Sequence, residues 1–321
     1  MRASLLPLAI FLFSCQSTPP PPLPSVKPAD DPRVQAVADV AFTEGPTVYK
    51  DGSVFFSEMR SNRTLRYFPE TQRVETFRAD AHGTNGMIFD AEWRLISCEG
   101  DPPRVTRTNV ETGEMEVLAE RFDGKRFHHP NDVTFDSKGR LYFSDRPDAE
   151  IAPDQVGVDA VYRIDPDGSV HQILAAPDVQ KPNGLVISPD DKTFYLIEAH
   201  PDADHARMIR AYDLADDGSV SNMRVFHDFY PGRSGDGMTI DSEGNLWVAA
   251  GLNRTRGTSE TLDTEPGVHV FAPDGKRIDY FRTWEDTITN AAFGGPEMKT
   301  LYVTDGKLLL EIETDVVGTR R

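Results

Sequence analysis

The chain has 321 residues, with 34 Lys and Arg against 52 Asp and Glu, so its formal net charge is -18. This length suffices for a full-sized hydrophobic core, and 38% hydrophobic with 27% charged residues are typical of a soluble globular protein. The acidic balance, without a dense basic stretch, excludes nucleic acid as a partner. Two cysteines are too few for a disulfide scaffold or a Cys-based zinc site.

The first 15 residues predict export. Met1 and Arg2 give a positive start, and residues 3–13 form an apolar run that is too short to anchor in a bilayer. The run ends in Leu-Phe-Ser before Cys15, which resembles the bacterial lipoprotein signal, where this cysteine becomes lipidated. An ordinary secretory leader is the alternative. In both cases we expect an exported protein of the cell envelope or periplasm.

The segment that follows predicts a tether without a core of its own. Residues 16–32 are rich in Pro and Ser/Thr and contain the run Pro19–Pro22, a composition that favours extended polyproline structure. We therefore expect a signal peptide (1–15), a tether (16–32) and one domain (33–321). The only predicted membrane contact is the lipid anchor, and the protein is expected to be a monomer or weak dimer.

The rest of the chain predicts an all-β fold. Short alternating runs such as Ser-Val-Phe-Phe-Ser after Gly52, Arg-Leu-Tyr-Phe-Ser after Gly139 and Asn-Leu-Trp-Val-Ala after Gly244 each follow an Asp/Gly turn. Alternating runs bounded by such turns are hairpin signals, and helical periodicity is almost absent.

These hairpins belong to a repeat. Six units begin with an Asx or Glu residue before an apolar strand, at separations of 41, 46, 52, 53 and 54 residues, which suits one four-stranded antiparallel blade each. Six such sheets around a central channel form a six-bladed β-propeller. The last unit is short, so we expect the segment Val34–Phe42 to complete the sixth blade. Two separate β domains are the alternative.

The opening position of every unit carries a side-chain oxygen. The six residues are Glu44, Asn85, Asn131, Asn183, Asp236 and Asn290. In a propeller the first strands line the channel, so these groups are expected to converge on one axis, where burying them unpaired is costly. Ca²⁺ takes about 6–8 oxygen ligands, and two carboxylates neutralise one divalent ion. Each residue taken singly is also compatible with a simple Asx-Gly turn.

Several motifs together resemble the SMP-30/gluconolactonase/LRE family. They are Glu44-Gly-Pro, Pro130-Asn-Asp, Pro182-Asn-Gly, Asp236-Gly-Met and Phe293-Gly-Gly. The resemblance spans about Val34–Val317. It implies a calcium-binding six-bladed propeller that hydrolyses sugar lactones, and it places the metal ligands on Glu44, Asn131, Asn183 and Asp236. Asn85 and Asn290 would then line the channel and contact substrate or water.

The sequence departs from the family pattern near the expected site mouth. Many members have Leu-Asn-Ser where this chain has Phe127-His-His, and Thr-Asp-Pro-Pro-Tyr-Gly where it has Ser144-Asp-Arg-Pro-Asp. These departures leave the substrate open.

The candidate bases are an aspartate and two histidines. The resemblance implies that Asp236 activates water. His128 and His129 have ordinary pKa values of about 6.5, which suit general-base catalysis near neutral pH, although a histidine pair in a loop is also typical of a solvated surface.

Other polar residues are candidates for substrate contacts. The resemblance makes Arg104 and Glu99 plausible contacts for a hydroxyl-rich substrate, with a salt bridge on a blade as the alternative, and His200 lies on an expected loop at the mouth. Asp132 is expected to orient a ligand or bond a neighbouring blade. Cys98 is expected to be a small buried side chain.

The sequence therefore predicts a calcium-dependent carboxylic-ester hydrolase acting on lactones. The cation would polarise the ester carbonyl, and Mg²⁺, Mn²⁺ or Zn²⁺ could replace Ca²⁺ in vitro. One alternative is an arylesterase or phosphotriesterase that uses the same metal. The other is an envelope-tethered binding module without catalysis, in which calcium is only a structural pin.

Overall fold

The structure is a computed structural model that describes residues 33–147 and 150–320. The predicted signal peptide, the tether and Cys15 lie outside these ranges. Within them, regular structure is entirely β apart from one 3-10 turn at Pro296–Met298, and no helix is long and apolar enough to cross a membrane.

The strands form six four-stranded antiparallel sheets, which confirms the predicted six-bladed β-propeller. The chain starts with β1 (Val34–Asp39). Blade one contains β2 (Thr43–Val48), β3 (Val54–Glu58), β4 (Arg63–Phe68) and β5 (Arg73–Arg78). Blade two contains β6 (Met87–Phe89), β7 (Leu95–Gly100), β8 (Pro103–Thr108) and β9 (Met115–Ala119). A small hairpin, β10 (Arg121–Phe122) and β11 (Lys125–Arg126), leads to the next blade.

The remaining blades follow in chain order. Blade three contains β12 (Pro130–Phe135), β13 (Leu141–Asp145), β14 (Ala160–Ile164) and β15 (Val170–Ala175). Blade four contains β16 (Pro182–Ile187), β17 (Thr193–Ala199), β18 (Arg207–Leu214) and β19 (Val220–Asp228). Blade five contains β20 (Gly235–Ile240), β21 (Leu246–Ala250), β22 (Gly267–Phe271) and β23 (Arg277–Arg282). Blade six contains β24 (Ile288–Gly294), β25 (Thr300–Asp305) and β26 (Leu308–Glu313).

The two ends of the chain meet in blade six. Strand β1 pairs antiparallel with β26, from Val34 opposite Ile312 to Asp39 opposite Leu308. Val34 is buried in the core of this blade. The predicted closure is therefore confirmed, and it leaves the ring of sheets without a gap.

Burial decreases from the channel outwards. Every residue of the inner strands β12 and β16 is buried, whereas the outer strands β9 and β23 are mostly exposed. Apolar side chains fill the space between neighbouring blades, as where Ile96 and Val105 of blade two share one core cluster with Val133 and Phe143 of blade three. Cys98 is a free, buried cysteine, as expected. The buried inner strands give the polar residues at their start a rigid support.

Two local features aim the opening residues at the channel. First, the pairing of five inner strands with their neighbours is shifted by a bulge close to the opening residue, as between Pro130 and Val133 or between Gly235 and Met238. Bulges of this kind re-aim side chains. Second, the inner strands approach so closely that a Cβ on Gly86 would lie 2.7 Å from the carbonyl oxygen of Asn131.

A buried carboxylate lies at the last or the penultimate position of the second strand in five blades. These residues are Glu58, Glu99, Asp145, Glu198 and Asp305. Most of them accept backbone N–H groups from nearby loops. Asp145 accepts from His128 and His129, Glu198 from Gln180, and Asp305 from Trp284 and Glu285. Three of these loops lead into inner strands, so the carboxylates help to position the channel residues.

Candidate metal and active site

The six opening residues are all buried at the start of the inner strands, and each lies near its neighbours in the ring. Their exposed fractions are between 2% and 9% for Glu44, Asn85, Asn131, Asn183, Asp236 and Asn290. Gly86 N–H donates to the carbonyl of Asn131 at 2.7 Å, and Thr289 Oγ1 donates to the carbonyl of Thr43 at 3.0 Å. The structure thus brings together side chains that are up to 246 residues apart in the sequence.

Asp236 is held on both carboxylate oxygens. Asn183 Nδ2 donates to its Oδ1 at 2.6 Å, and the Arg233 guanidinium donates to its Oδ2 at 2.5 Å. Arg233 is itself buried and also donates to the carbonyl of Ile288 at 3.2 Å. Sequence reasoning missed Arg233. The only feature of Arg233 in the sequence is its position three residues before an opening residue. That position indicates no function until the fold is known.

The channel contains a third carboxylate, Asp132. Burial raises its pKa to about 7, and the charge of Asp236 acts in the same direction. Burial also raises the pKa of Glu44 well above its usual value, with further contributions from Asp236 and Asp132. Arg146 opposes these effects on both Glu44 and Asp132. The interactions show that the three carboxyl groups share one buried environment.

This donor set fits a hard divalent cation. Glu44 accepts only one hydrogen bond, from Gly45 N–H at 3.3 Å, among the residues that the structure describes. A buried carboxylate beside two others is destabilised unless a positive charge compensates it. Within residues 33–147 and 150–320, no three His, Cys, Asp or Glu side chains are grouped as metal ligands, so a cation would also need the asparagine oxygens. Mixed carboxylate and amide oxygens are typical of calcium sites.

Asn290 lies across the channel from Asp132. Its Nδ2 donates to Asp132 Oδ2 at 3.2 Å, and its Oδ1 accepts from the backbone N–H of Ala291 at 2.8 Å. Both ends of this amide are therefore engaged within the protein. The expected bond from Asp132 to a neighbouring blade is wrong, because its partner Asn290 lies in the opposite blade; its expected role in orienting a ligand stays a prediction.

The two candidate histidines are fixed in the loop before β12. Phe127 anchors this loop in the core, and Asp145 accepts the backbone N–H groups of His128 at 3.0 Å and His129 at 2.6 Å. His128 is 6% exposed, and its ring nitrogens have no hydrogen-bond partner among the described residues. His129 is half-buried, with Nε2 against Gly100.

The other predicted substrate contacts lie around the channel without a bond to the ring. Glu99 is fully buried and binds Arg104 at 2.7 Å and Arg78 at 3.1 Å, which matches the salt bridge considered as the alternative. His200 is half-buried and stacks on His205 with ring centroids 3.9 Å apart. Burial, and then the proximity of His205, lower its pKa. In the described ranges no hydrogen bond joins these side chains to the opening residues.

A cavity of about 640 Å³ occupies the channel on the far side of the ring. Its walls are mostly apolar and include Val48, Phe89, Val186 and Phe293, and Asp132 and Asn290 lie at its inner end. We call this space the rear cavity. Glu44 and Asp236, near the start of the inner strands, are not among the residues that line it.

The fold and the ring together define a class: a six-bladed propeller with an oxygen-rich, acidic centre suited to a hard cation. Residues 42–307 match the family model described as the SMP-30/gluconolactonase/LRE-like region. The chain belongs to this family.

Similar proteins cover most of the chain. It is 24% identical to a gluconolactonase of Zymomonas mobilis over 93% of this chain and 85% of that protein. It is 32% identical to regucalcin of Danio rerio over 82% of both. Among solved structures, a gluconolactonase of Xanthomonas campestris, XC5397, is 28% identical with a TM-score of 0.73, covering 87% of this chain and 89% of that one.

Proposed function

We propose that the protein is a lactonase, a carboxylic-ester hydrolase that opens sugar-type lactones at a divalent cation held in the channel. The observation that carries this proposal is the ring of buried opening residues, in which Asn183 binds Asp236 directly and the carboxylate of Glu44 has a single backbone partner among the described residues. Family membership and the lactonase names of the relatives support the substrate class.

The residues that would hold the cation are Glu44, Asn131, Asn183 and Asp236. Calcium fits this set best because all the donors are oxygens and two of them are carboxylates. When bound, the cation would polarise the lactone carbonyl and stabilise the negative charge that develops on its oxygen. The ring-opening step itself consumes one water, which adds to the carbonyl carbon while the ring C–O bond breaks.

Residues of the chain itself would accept the proton of the attacking water and orient the groups that react. Asp236 is the proposed acceptor of the water proton, because Asn183 and Arg233 donate to its two carboxylate oxygens and so fix the plane of the group in the channel. His128 or His129 is the second candidate, since both lie two to three residues before Asn131 and the ring nitrogens of His128 have no hydrogen-bond partner among the described residues. Replacing each histidine by Ala would separate the two assignments through the pH profile of kcat.

The test is hydrolysis of a defined panel by chelator-treated protein with and without added calcium. The panel contains an aldonolactone, an acyl-lactone, an aryl ester and a phosphotriester, each corrected for spontaneous hydrolysis. We expect the highest kcat/KM for the aldonolactone, only with calcium, and a loss of at least about 100-fold in Glu44→Gln and Asp236→Asn. Glu243→Gln, an exposed residue on blade five, is the matched control.

The panel also separates the rival functions. Preference for the aryl ester or phosphotriester would replace the lactonase proposal with another hydrolase at the same site. Calcium-dependent stability without hydrolysis of any compound would favour a binding module. Export and attachment through Cys15 remain a proposal from the sequence, tested by metabolic labelling with a fatty acid in wild type and Cys15→Ser.

A further inference from the structure

One position of the repeat differs between blades in an informative way. The residue after the opening residue is Gly in four units, Ala in the sixth and Asp only in the third. These residues are Gly45, Gly86, Asp132, Gly184, Gly237 and Ala291. Asp132 is therefore the only one of them with a side chain that extends beyond Cβ. It needs space that no other blade needs at this level of the channel.

Two glycines in other blades leave space for the side chains of Asp132 and Asn290. A Cβ on Gly86 would lie 2.5 Å from Asp132 Oδ1, and a Cβ on Gly237 would lie 2.1 Å from Cγ of Asn290. Neither glycine has a positive φ, so alanine is compatible with the backbone and only the space is limiting. The side chains of Asp132 and Asn290 thus fill gaps that their neighbours leave open.

The two side chains meet across the channel axis. The inner strands contact one another in chain order around the ring, which places blades three and six opposite each other. The bond from Asn290 Nδ2 to Asp132 Oδ2 joins these blades, and Val133 N–H donates to Asp132 Oδ1 at 2.9 Å. Asp132 and Asn290 both line the rear cavity, whereas the other five opening residues do not.

We propose that Asp132 and Asn290 are a positioning pair that closes the floor of the cation site. The pair holds two opposite blades at a fixed distance, and Asp132 directly follows the proposed ligand Asn131. It therefore fixes the spacing of the ligands without needing to bind the cation itself. This inference rests on the proposed cation site, but the pairing of the two residues can be tested without the cation.

The experiment is an exchange of the two side chains. Asp132→Asn leaves two amides face to face, and Asn290→Asp leaves two carboxyl groups, whereas the double variant restores one of each with the bond reversed. Partners that orient metal ligands typically contribute about 10–100-fold to affinity. We expect each single variant to weaken calcium binding at least about tenfold by calorimetry, and the double variant to bind within about threefold of wild type.

A matched control removes a similar bond elsewhere. Asn245 Nδ2 donates to Asp241 Oδ2 at 2.8 Å, also between buried residues, but in blade five away from the opening residues. Asn245→Ala should lower the stability and leave the calcium affinity unchanged. An equal loss of calcium affinity in this control would show that general destabilisation causes the effect, and would overturn the proposal.

A second readout works in chelated protein. The midpoints of urea unfolding of wild type, the two single variants and the double variant form a cycle, which measures the coupling of the pair without metal. Rescue in the double variant supports the pair even if wild type binds no calcium, in which case only the proposed function fails. A double variant that is no better than the poorer single variant in either readout refutes the pair.

Discussion

Glu44→Gln is expected to stabilise the metal-free protein while it abolishes calcium binding. The carboxylate of Glu44 is buried beside Asp132 and Asp236, and its pKa is raised by burial and by these two neighbours. Its hydrogen bond with Gly45 N–H is long, at 3.3 Å, so an amide loses little in return. The substitution removes a charge that is unfavourable when no cation is bound.

The size of the effect follows from this environment. A poorly compensated buried polar or charged group costs about 1–3 kcal/mol, and 1 kcal/mol shifts Tm by about 2–4 °C in a domain of this size class. We therefore expect the Tm of Glu44→Gln in chelator to exceed that of wild type by roughly 2–12 °C. Calcium at about 100 times its Kd should raise the free energy of unfolding of wild type by about 2.7 kcal/mol and leave that of the variant unchanged.

The assay is thermal unfolding by calorimetry in chelator and in excess calcium, with Glu243→Gln as the control. The order of stability should invert: the variant is more stable in chelator and wild type is more stable in calcium. A variant that is less stable than wild type in chelator, yet gains as much as wild type from calcium, would refute the assignment of Glu44 as a cation ligand.

Three further predictions concern pH, orientation and closure. Burial lowers the pKa of His269 from 6.5 to about 4, so the contribution of its neutral ring to stability is complete above pH 6.5 and is lost as the pH falls through 4. In His269→Phe, the free energy of unfolding measured in urea should therefore vary less with pH over this range. Arg233→Met leaves the buried carboxylate of Asp236 without its ion pair. We expect the free energy of unfolding, measured in urea, to fall by about 3 kcal/mol in chelator and by less with calcium. Val34→Asp places a charge in the closing blade opposite Ile312 and should cost about 3 kcal/mol or more, whereas the exposed Val117→Asp should be nearly neutral.

The sequence was sufficient for the architecture because its signals are local and repeated. Each unit carries its own turn residues and alternating strands, and the short last unit implied that the segment starting at Val34 completes the ring. The opening residues were found in the same way, by comparison of equivalent positions. Comparison of the repeats thus predicted which residues lie together in the fold, although they are far apart in the sequence.

The missing parts of the site depend on contacts between blades. Arg233 joins blades five and six, because it donates to Asp236 and to the carbonyl of Ile288, and Asp132 meets Asn290 because blades three and six face each other. The departure of Asp132 from glycine was visible in the repeat, but its partner was not. Glu99 looked like a substrate contact in sequence, and only the structure shows that Arg78 and Arg104 surround it.

The most direct test of the central claim is a crystal structure of the calcium-loaded protein with an anomalous difference map of the channel. We predict one ion bound by oxygens of Glu44, Asn131, Asn183 and Asp236 at about 2.3–2.6 Å. A channel that remains without an ion at saturating calcium, or an ion bound only on the outer surface, would contradict the account.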